Sequence, residues 1–354
     1  MFRPRLLPSL AALCLLCGAA PVAAFDEPLA ARGGEGKAVY FFPAGSELRL
    51  ESGQPEATPV ALPAGTLLKS AAAAGGGWLL AGAYPRAEGG SELFLLAGDG
   101  TGEREIPPPG PRRGRLRAEP VWLANGGRSQ GLLWLEGDDR RSLALRYAPF
   151  DGERFGTPVE VAPPAAGSQL ALAAAPLSDG SFLALWSAFD GQDDEILWSH
   201  GRAGEWRDPQ PLAPDNDVPD ITPAVAALGD GAIAAWNRFD PELGAYRLLT
   251  ARFDGERWRE PAVIEGAGGL YPTFERLDGT LYLLCLRAGT TRGWGLLRLT
   301  EEGRVAREAD VETARAERPL LVTDPGTGGL ALRWEEEEIA VRWERTPRTG
   351  RLRR

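Results

Sequence analysis

The side chains with the clearest chemical capacity cluster in four loops. "RRGRLRAEP" carries Arg115, Arg117 and Glu119, "PDNDVPDITP" carries Asp220, "GAGGLYP" carries Tyr271, and "ETARAERP" carries Arg315, Glu317 and Arg318. Fork-shaped guanidinium groups suit carboxylates, so Arg115, Arg117, Arg315 and Arg318 are the candidate ligand-binding residues. "PDNDVPD" also spaces Asp215, Asp217 and Asp220 as oxygen ligands for calcium could be spaced. It lacks the glycine and the distal glutamate of a recognised calcium loop, so an ordinary turn is expected and no cofactor is required. His200 is the sole histidine, which leaves zinc chemistry and a Ser-His-Asp triad without a basis.

The elements that must position these loops are visible as a repeat. "FDGERF" at Asp151 and "FDGERW" at Asp254 are near-identical, and related turns fall near Asp99, Ala203 and Glu302, at spacings of 52, 52, 51 and 48 residues. Each period holds a second Gly-bearing turn, as in "LSDGSFLALW", "LGDGAIAAW" and "RLDGTLYLLC". Asp-Gly between apolar runs is a strong hairpin signal, because glycine supplies the positive φ at little cost. The reading is four antiparallel strands per unit, and four-stranded units of about 50 residues stacked in a ring are β-propeller blades.

Five units lie between Leu68 and Glu312. A sixth can be assembled from "PLLVTD", "GLALRWEE" and "EIAVRWER" with an N-terminal strand from "KAVYFF" or "ELRLES". The expected fold is therefore all-β, a six-bladed propeller whose ring is closed by N- and C-terminal strands. Trp134, Trp186, Trp236 and Trp334, with Cys285 at the equivalent place, recur at the end of the second strand. Recurrence at one blade position predicts packing between blades rather than a sugar platform.

"PAVAALGDGAIAAWNRFD" followed by "RLLTARFDGERWREPAVI" resembles units of the sialidase-like, or BNR-repeat-like, six-bladed propellers of secreted bacterial proteins. The family's aspartate-box turn reads S-x-D-x-G-x-x-W; "FDGERW" keeps an Asp, a Gly and a Trp in altered spacing, and no Arg-Ile-Pro stands near the N-terminus. The resemblance implies a ligand on the face formed by the loops leading into the innermost strands and those leaving the second strands. For a retaining sialidase it implies an arginine cluster, a Tyr nucleophile activated by Glu, and an Asp acid, roles for which Tyr271, Glu317, Glu119 and Asp220 are the candidates. Because the set is incomplete, the expectation is a non-enzymatic propeller that binds a protein, glycan or cell-envelope component through its loop face. A glycoside-acting, sialidase-like hydrolase is the alternative.

The ends add compartment and partner. Residues 1–24 carry Arg3 and Arg5, an apolar run and a "VAA" site, the pattern of a cleaved secretory signal. Export to the periplasm or the extracellular space is expected, with no membrane span in the mature chain and a monomeric state. A flexible segment over 25–36, a propeller over 37–345 and a basic tail over 346–354 complete the division. Cleavage removes Cys14 and Cys17 and leaves Cys285 alone, so no internal disulfide can form. The 39 basic and 49 acidic residues give a net charge of -10, which argues against nucleic acid as partner.

Overall fold

The computed structural model describes residues 27–33, 38–52, 59–99, 101–165, 169–202, 204–213, 216–264, 269–287, 292–324, 326–335 and 337–343. Residues 1–24, read as a secretory signal, and residues 346–354, read as a basic tail, lie outside these residues. Among the described residues, no helix is long and apolar enough to cross a membrane.

The described residues form seven sheets, each an antiparallel blade, so the propeller is seven-bladed and the expected six-bladed ring is corrected. Blade 1 is β1 (Leu29–Arg32), β2 (Ala38–Ala44), β3 (Glu47–Glu51) and β4 (Val60–Ala61). Blade 2 is β5 (Leu67–Ala74), β6 (Gly77–Pro85), β7 (Ser91–Gly98) and β8 (Glu103–Glu105). Blade 3 is β9 (Leu116–Asn125), β10 (Arg128–Gly137), β11 (Ala144–Pro149) and β12 (Val159–Ala162). Blade 4 is β13 (Gln169–Pro176), β14 (Phe182–Phe189) and β15 (Asp194–Arg202), edged by the short β16 (Glu205–Trp206) and β17 (Gln210–Pro211). Blade 5 is β18 (Asp220–Leu228), β19 (Gly231–Asp240), β20 (Ala245–Phe253) and β21 (Ala262–Val263). Blade 6 is β22 (Gly269–Leu277), β23 (Thr280–Arg287), β24 (Gly293–Leu299) and β25 (Val305–Glu312). Blade 7 is β26 (Leu320–Thr323), β27 (Leu330–Arg333) and β28 (Glu338–Ala340).

The extra blade arises at the ends. Leu29–Arg32, inside the stretch read as a flexible leading segment, is β1, the first strand of a blade that the N-terminal region builds alone. The C-terminal strands therefore form their own sheet and do not share one with the N-terminus. The ring closes by side-chain packing instead: Phe42 sits with Leu320, Val322 and Ala331. The Arg333 guanidinium lies 4.9 Å from the Phe42 ring centroid and 2.7 Å from Glu51. The Arg32 guanidinium donates to the Leu321 carbonyl.

Second strands such as β14, "FLALWSAF", are buried almost throughout because a blade inside a ring is covered on both faces. Trp134, Trp186 and Trp236 are each 0% exposed. Each lies in the seam with the preceding blade, and Trp334 and Cys285 do the same in theirs. They are core; truncating one of these indoles to alanine costs about 3–5 kcal/mol.

The repeated turn phrase is explained by local geometry. In "FDGERW" Phe253 bridges Trp258, Asp254 Oδ1 accepts the amides of Glu256 and Arg257, and Gly255 takes φ +102°. In "FDGERF" Phe150 bridges Phe155, Asp151 Oδ1 accepts the amides of Glu153 and Arg154, and Gly152 takes φ +105°. An aspartate that caps its own turn and a glycine that permits it is a structural motif, joining third to fourth strand.

Candidate functional site

The first strand of each blade is innermost, and neighbouring first strands contact one another from β1 round to β26. Antiparallel alternation puts the loops leading into these strands and the second-to-third-strand turns on one face, and the "DGER" turns on the other. Near the loop face, five innermost strands carry a bulge at the same height. The pairing slips between Leu68 and Ser70 in β5, Ala118 and Val121 in β9, Leu170 and Ala173 in β13, Ile221 and Ala224 in β18, and Leu270 and Thr273 in β22.

Four of the inserted residues have left-handed backbones although none is glycine: Glu119 (φ 50°), Ala171 (φ 52°), Thr222 (φ 52°) and Tyr271 (φ 53°). For a β-branched or aromatic residue that conformation is strained, by about 1–3 kcal/mol each, and it persists only where the surroundings enforce it. Bulges re-aim side chains. Here they set Lys69, Glu119, Ala171, Thr222 and Tyr271 at one level of the ring's inner wall.

Asn237, 0% exposed in β19, enforces two of these bulges. Its Oδ1 accepts from the Thr222 hydroxyl at 2.7 Å and from the Tyr271 amide at 3.1 Å, while its Nδ2 donates to the Gly269 carbonyl at 2.7 Å. One amide thus ties blade 5 to blade 6. On the far side, Lys69 Nζ stands 2.9 Å from Glu119, and the Glu119 charge holds the Lys69 ammonium above its ordinary range. Tyr271 remains 48% exposed. Beside it, burial, and then the charges of Asp194 and Tyr271, push the Tyr246 phenol up; burial and Asp190 raise Asp194 in turn.

The residues singled out in the sequence divide clearly. Glu119 and Tyr271 occupy equivalent bulges, but in blades 3 and 6, and the partner of Glu119 is Lys69 of blade 2. Arg117 is 2% exposed, held by Glu136 at 3.0 Å and Glu92 at 3.4 Å, while its Nη2 has no acceptor among the described residues. Burial works against the Glu136 charge, but the Arg113 amide and Arg117 outweigh it and hold its carboxyl low. Asp220 is 1% exposed and takes a two-pronged contact from Arg238 at 2.8 and 2.5 Å. Both pairs join the same blade positions with the charges exchanged, since Arg117 faces Glu136 in β10 and Asp220 faces Arg238 in β19. These are internal clamps.

Arg115 is exposed at the start of β9. Arg315 binds Glu337 at 2.7 Å, and Arg318 lies 3.7 Å from Glu27. The Glu317 carbonyl accepts from Trp334 Nε1, and its Oε2 is buried without a partner among the described residues. Of the calcium candidates, Asp215 lies outside the described residues, Asp217 accepts from Gln192 at 2.7 Å, and Asp220 is committed to Arg238. Among the described residues no group of His, Cys, Asp and Glu is placed to hold a metal.

The acidic second-to-third-strand loops also resolve into turn construction. Asp139, Asp190 and Asp240 each accept amides of residues two or three further on. A groove of about 560 Å³ opens on this side of blade 5, lined by Asn216, Arg238, Phe239, Arg247 and Val263. A second, of about 620 Å³, lies on the opposite face around Trp78, Arg128 and Asp151. Lys69, Thr222, Asn237, Asp194 and Tyr246 were missed by sequence reasoning. A signal existed for the bulges: proline follows Glu119, Thr222 and Tyr271 at the blade period, suiting a position with no ladder donor.

No family model matches the sequence, and no curated protein matches it either. Solved structures do. An ulvan lyase of a polysaccharide lyase family aligns at 10% identity over 90% of this chain and 95% of its own, with a TM-score of 0.58. A six-bladed fungal lectin from Aleuria aurantia aligns at 11% identity over 81% of this chain and 95% of its own, with a TM-score of 0.50. A puromycin-hydrolyzing peptidase from Mycobacterium tuberculosis aligns at 18% identity and a TM-score of 0.51; it covers 86% of this chain, which spans only 49% of the peptidase. At these identities the likeness establishes the β-propeller fold.

Proposed function

We propose that this protein is an exported propeller that binds a glycan at the inner wall of its loop face, without turning it over. The observation that carries this reading is the level of strained bulges, which holds the half-exposed Tyr271 beside Thr222 and across from the Lys69–Glu119 pair. An aromatic face with a polar tip beside a few fixed donors and acceptors is the arrangement that sugars require, apolar C–H faces against the ring and hydroxyls against the polar groups. Strain kept at a shared height is a cost that packing alone does not explain. The lectin and the ulvan lyase among the structural neighbours support a glycan as ligand class.

The glycoside-acting alternative needs Tyr271 beside a free carboxylate. Glu119 is paired with Lys69 and Asp220 with Arg238, and these contacts favour binding over catalysis.

A glycan array probed with the full chain tests the reading, together with fluorogenic glycosides that include a sialoside. Tyr271→Asn is the informative variant, because asparagine tolerates the left-handed backbone while the ring is lost. Retention of a glycan that weakens about tenfold or more in Tyr271→Asn, without turnover, is expected. No retained glycan, or retention indifferent to Tyr271→Asn, refutes it.

A further inference from the structure

The groove of about 620 Å³ between blades 2 and 3 lies on the face opposite the Tyr271 level, and the repeat explains why it is open. Ala97 lines it, paired with Leu79 across the strands. At the same register, Leu183 pairs with His200 in blade 4 and Ile233 with Arg252 in blade 5. Both of those side chains reach over the seam to the following blade. The His200 ring stands 6.1 Å from Phe253 at 72°, and Arg252 Nη1 donates to the Glu301 carbonyl at 3.1 Å. Blade 3 offers a matching surface, since Phe150 bridges Phe155 as Phe253 bridges Trp258, but the Ala97 methyl is too short to cover it. Arg104 crosses from β8 to the Gly152 carbonyl at 2.6 Å and lines the groove without filling it.

The chemistry of the lining selects a cation. Leu79, Ala97 and Phe150 form an apolar floor, and the carboxylates Asp99, Glu103 and Asp151 outnumber the guanidinium groups of Arg104 and Arg128. Asp99 Oδ1 accepts from the Thr101 amide and hydroxyl, and Asp151 Oδ1 from the amides of Glu153 and Arg154. These contacts hold both carboxyls below their ordinary range, Asp99 chiefly through the Thr101 hydroxyl and Asp151 through the Arg154 amide. An arginine suits such a place, because its plane can lie on an aromatic ring, its fork takes carboxylate oxygens and its methylenes cover apolar surface.

We propose that this groove receives an arginine side chain of a partner polypeptide, in the position that Arg252 fills from within the chain in blade 5. The volume is that of a small-ligand site, so the partner's flanking backbone enters with the side chain. The ring then has two working faces, and this one does not depend on the glycan.

An array of end-blocked Gly-Gly-X-Gly-Gly peptides, with Arg, Lys, His or Ala at X, probed with the full chain tests this. The arginine peptide is retained about tenfold or more above the others. Ala97→Arg fills the groove from inside and abolishes that preference, and Asp151→Asn, whose amide oxygen still caps the turn, weakens it about fivefold. Should Ala97→Arg fail to fold, Ala97→His, the arrangement of blade 4, serves in its place. Equal retention of arginine and lysine peptides, no retention at all, or a preference that survives in the Ala97 variant overturns the proposal. A higher melting temperature in Ala97→Arg with no arginine preference in the unaltered chain also overturns it, and means that the groove is a packing gap. Because the Tyr271 level lies on the other face, failure to bind a glycan leaves each of these outcomes readable.

Discussion

Replacing Asn237 by leucine isolates what holds the strained bulges in place. The side chains are close in volume, so no cavity opens, and the change removes three hydrogen bonds while leaving Tyr271 N, Gly269 O and the Thr222 hydroxyl to find other partners. At about 1 kcal/mol net for each bond, the expected loss of stability is about 3 kcal/mol. Thr222→Val removes only one of the three and should cost about 1 kcal/mol. The two variants, compared by urea denaturation, should therefore fall in that order. Near-UV circular dichroism should change more in Asn237→Leu, because Tyr271 loses its fixed backbone. Glycan binding should weaken in proportion, since an untethered Tyr271 bulge relaxes out of its strained conformation. A loss below about 0.5 kcal/mol in Asn237→Leu, with glycan affinity unchanged, would refute both the energetic reasoning and the role given to the bulges.

Two further expectations concern buried charge. Arg117→Met leaves the buried Glu136 without its cation, while Glu92 keeps Arg112 at 3.2 Å, and should destabilise by about 3–5 kcal/mol; adding Glu136→Gln should recover part of that loss in thermal denaturation. His200, whose Nε2 lies 2.7 Å from Ser181 Oγ, has its pKa lowered first by burial and then by Arg207. The unfolded ring thus takes up a proton more readily than the folded one, and the stability present above the ordinary value of 6.5 is lost as pH falls through that window. The melting temperature should drop between about pH 7.5 and 5.5, and His200→Gln should show a smaller drop.

Much of the blade was legible in the chain because a blade is a local object. The turn at Asp254 and its twin at Asp151 are made by residues a few positions apart, so their recurrence could be read directly, and so could the period that places Trp134, Trp186 and Trp236. The count of blades was not legible. It depends on whether the strands around Val39 and Leu50 pair with the C-terminal strands or with their own neighbours. That choice was settled by Leu29–Arg32, a strand too short and plain to announce itself.

The site divides along the same line. Chain position showed which loops share a face, and so brought forward Glu119 and Tyr271; it could not show that Arg117 and Asp220 turn inward to Glu136 and Arg238. Those partners lie 19 and 18 residues away, across a strand pair whose register is set by where each bulge falls. By itself, then, the sequence determined the repeating four-stranded unit, its turns and its core positions, since these rest on short-range spacing and apolar periodicity. Only the tertiary structure decided the number of blades, the way the ring closes, and which charged side chains are spent inside the wall. Each of those depends on pairings between segments far apart in the chain, where competing partners of similar chemistry are told apart by geometry alone.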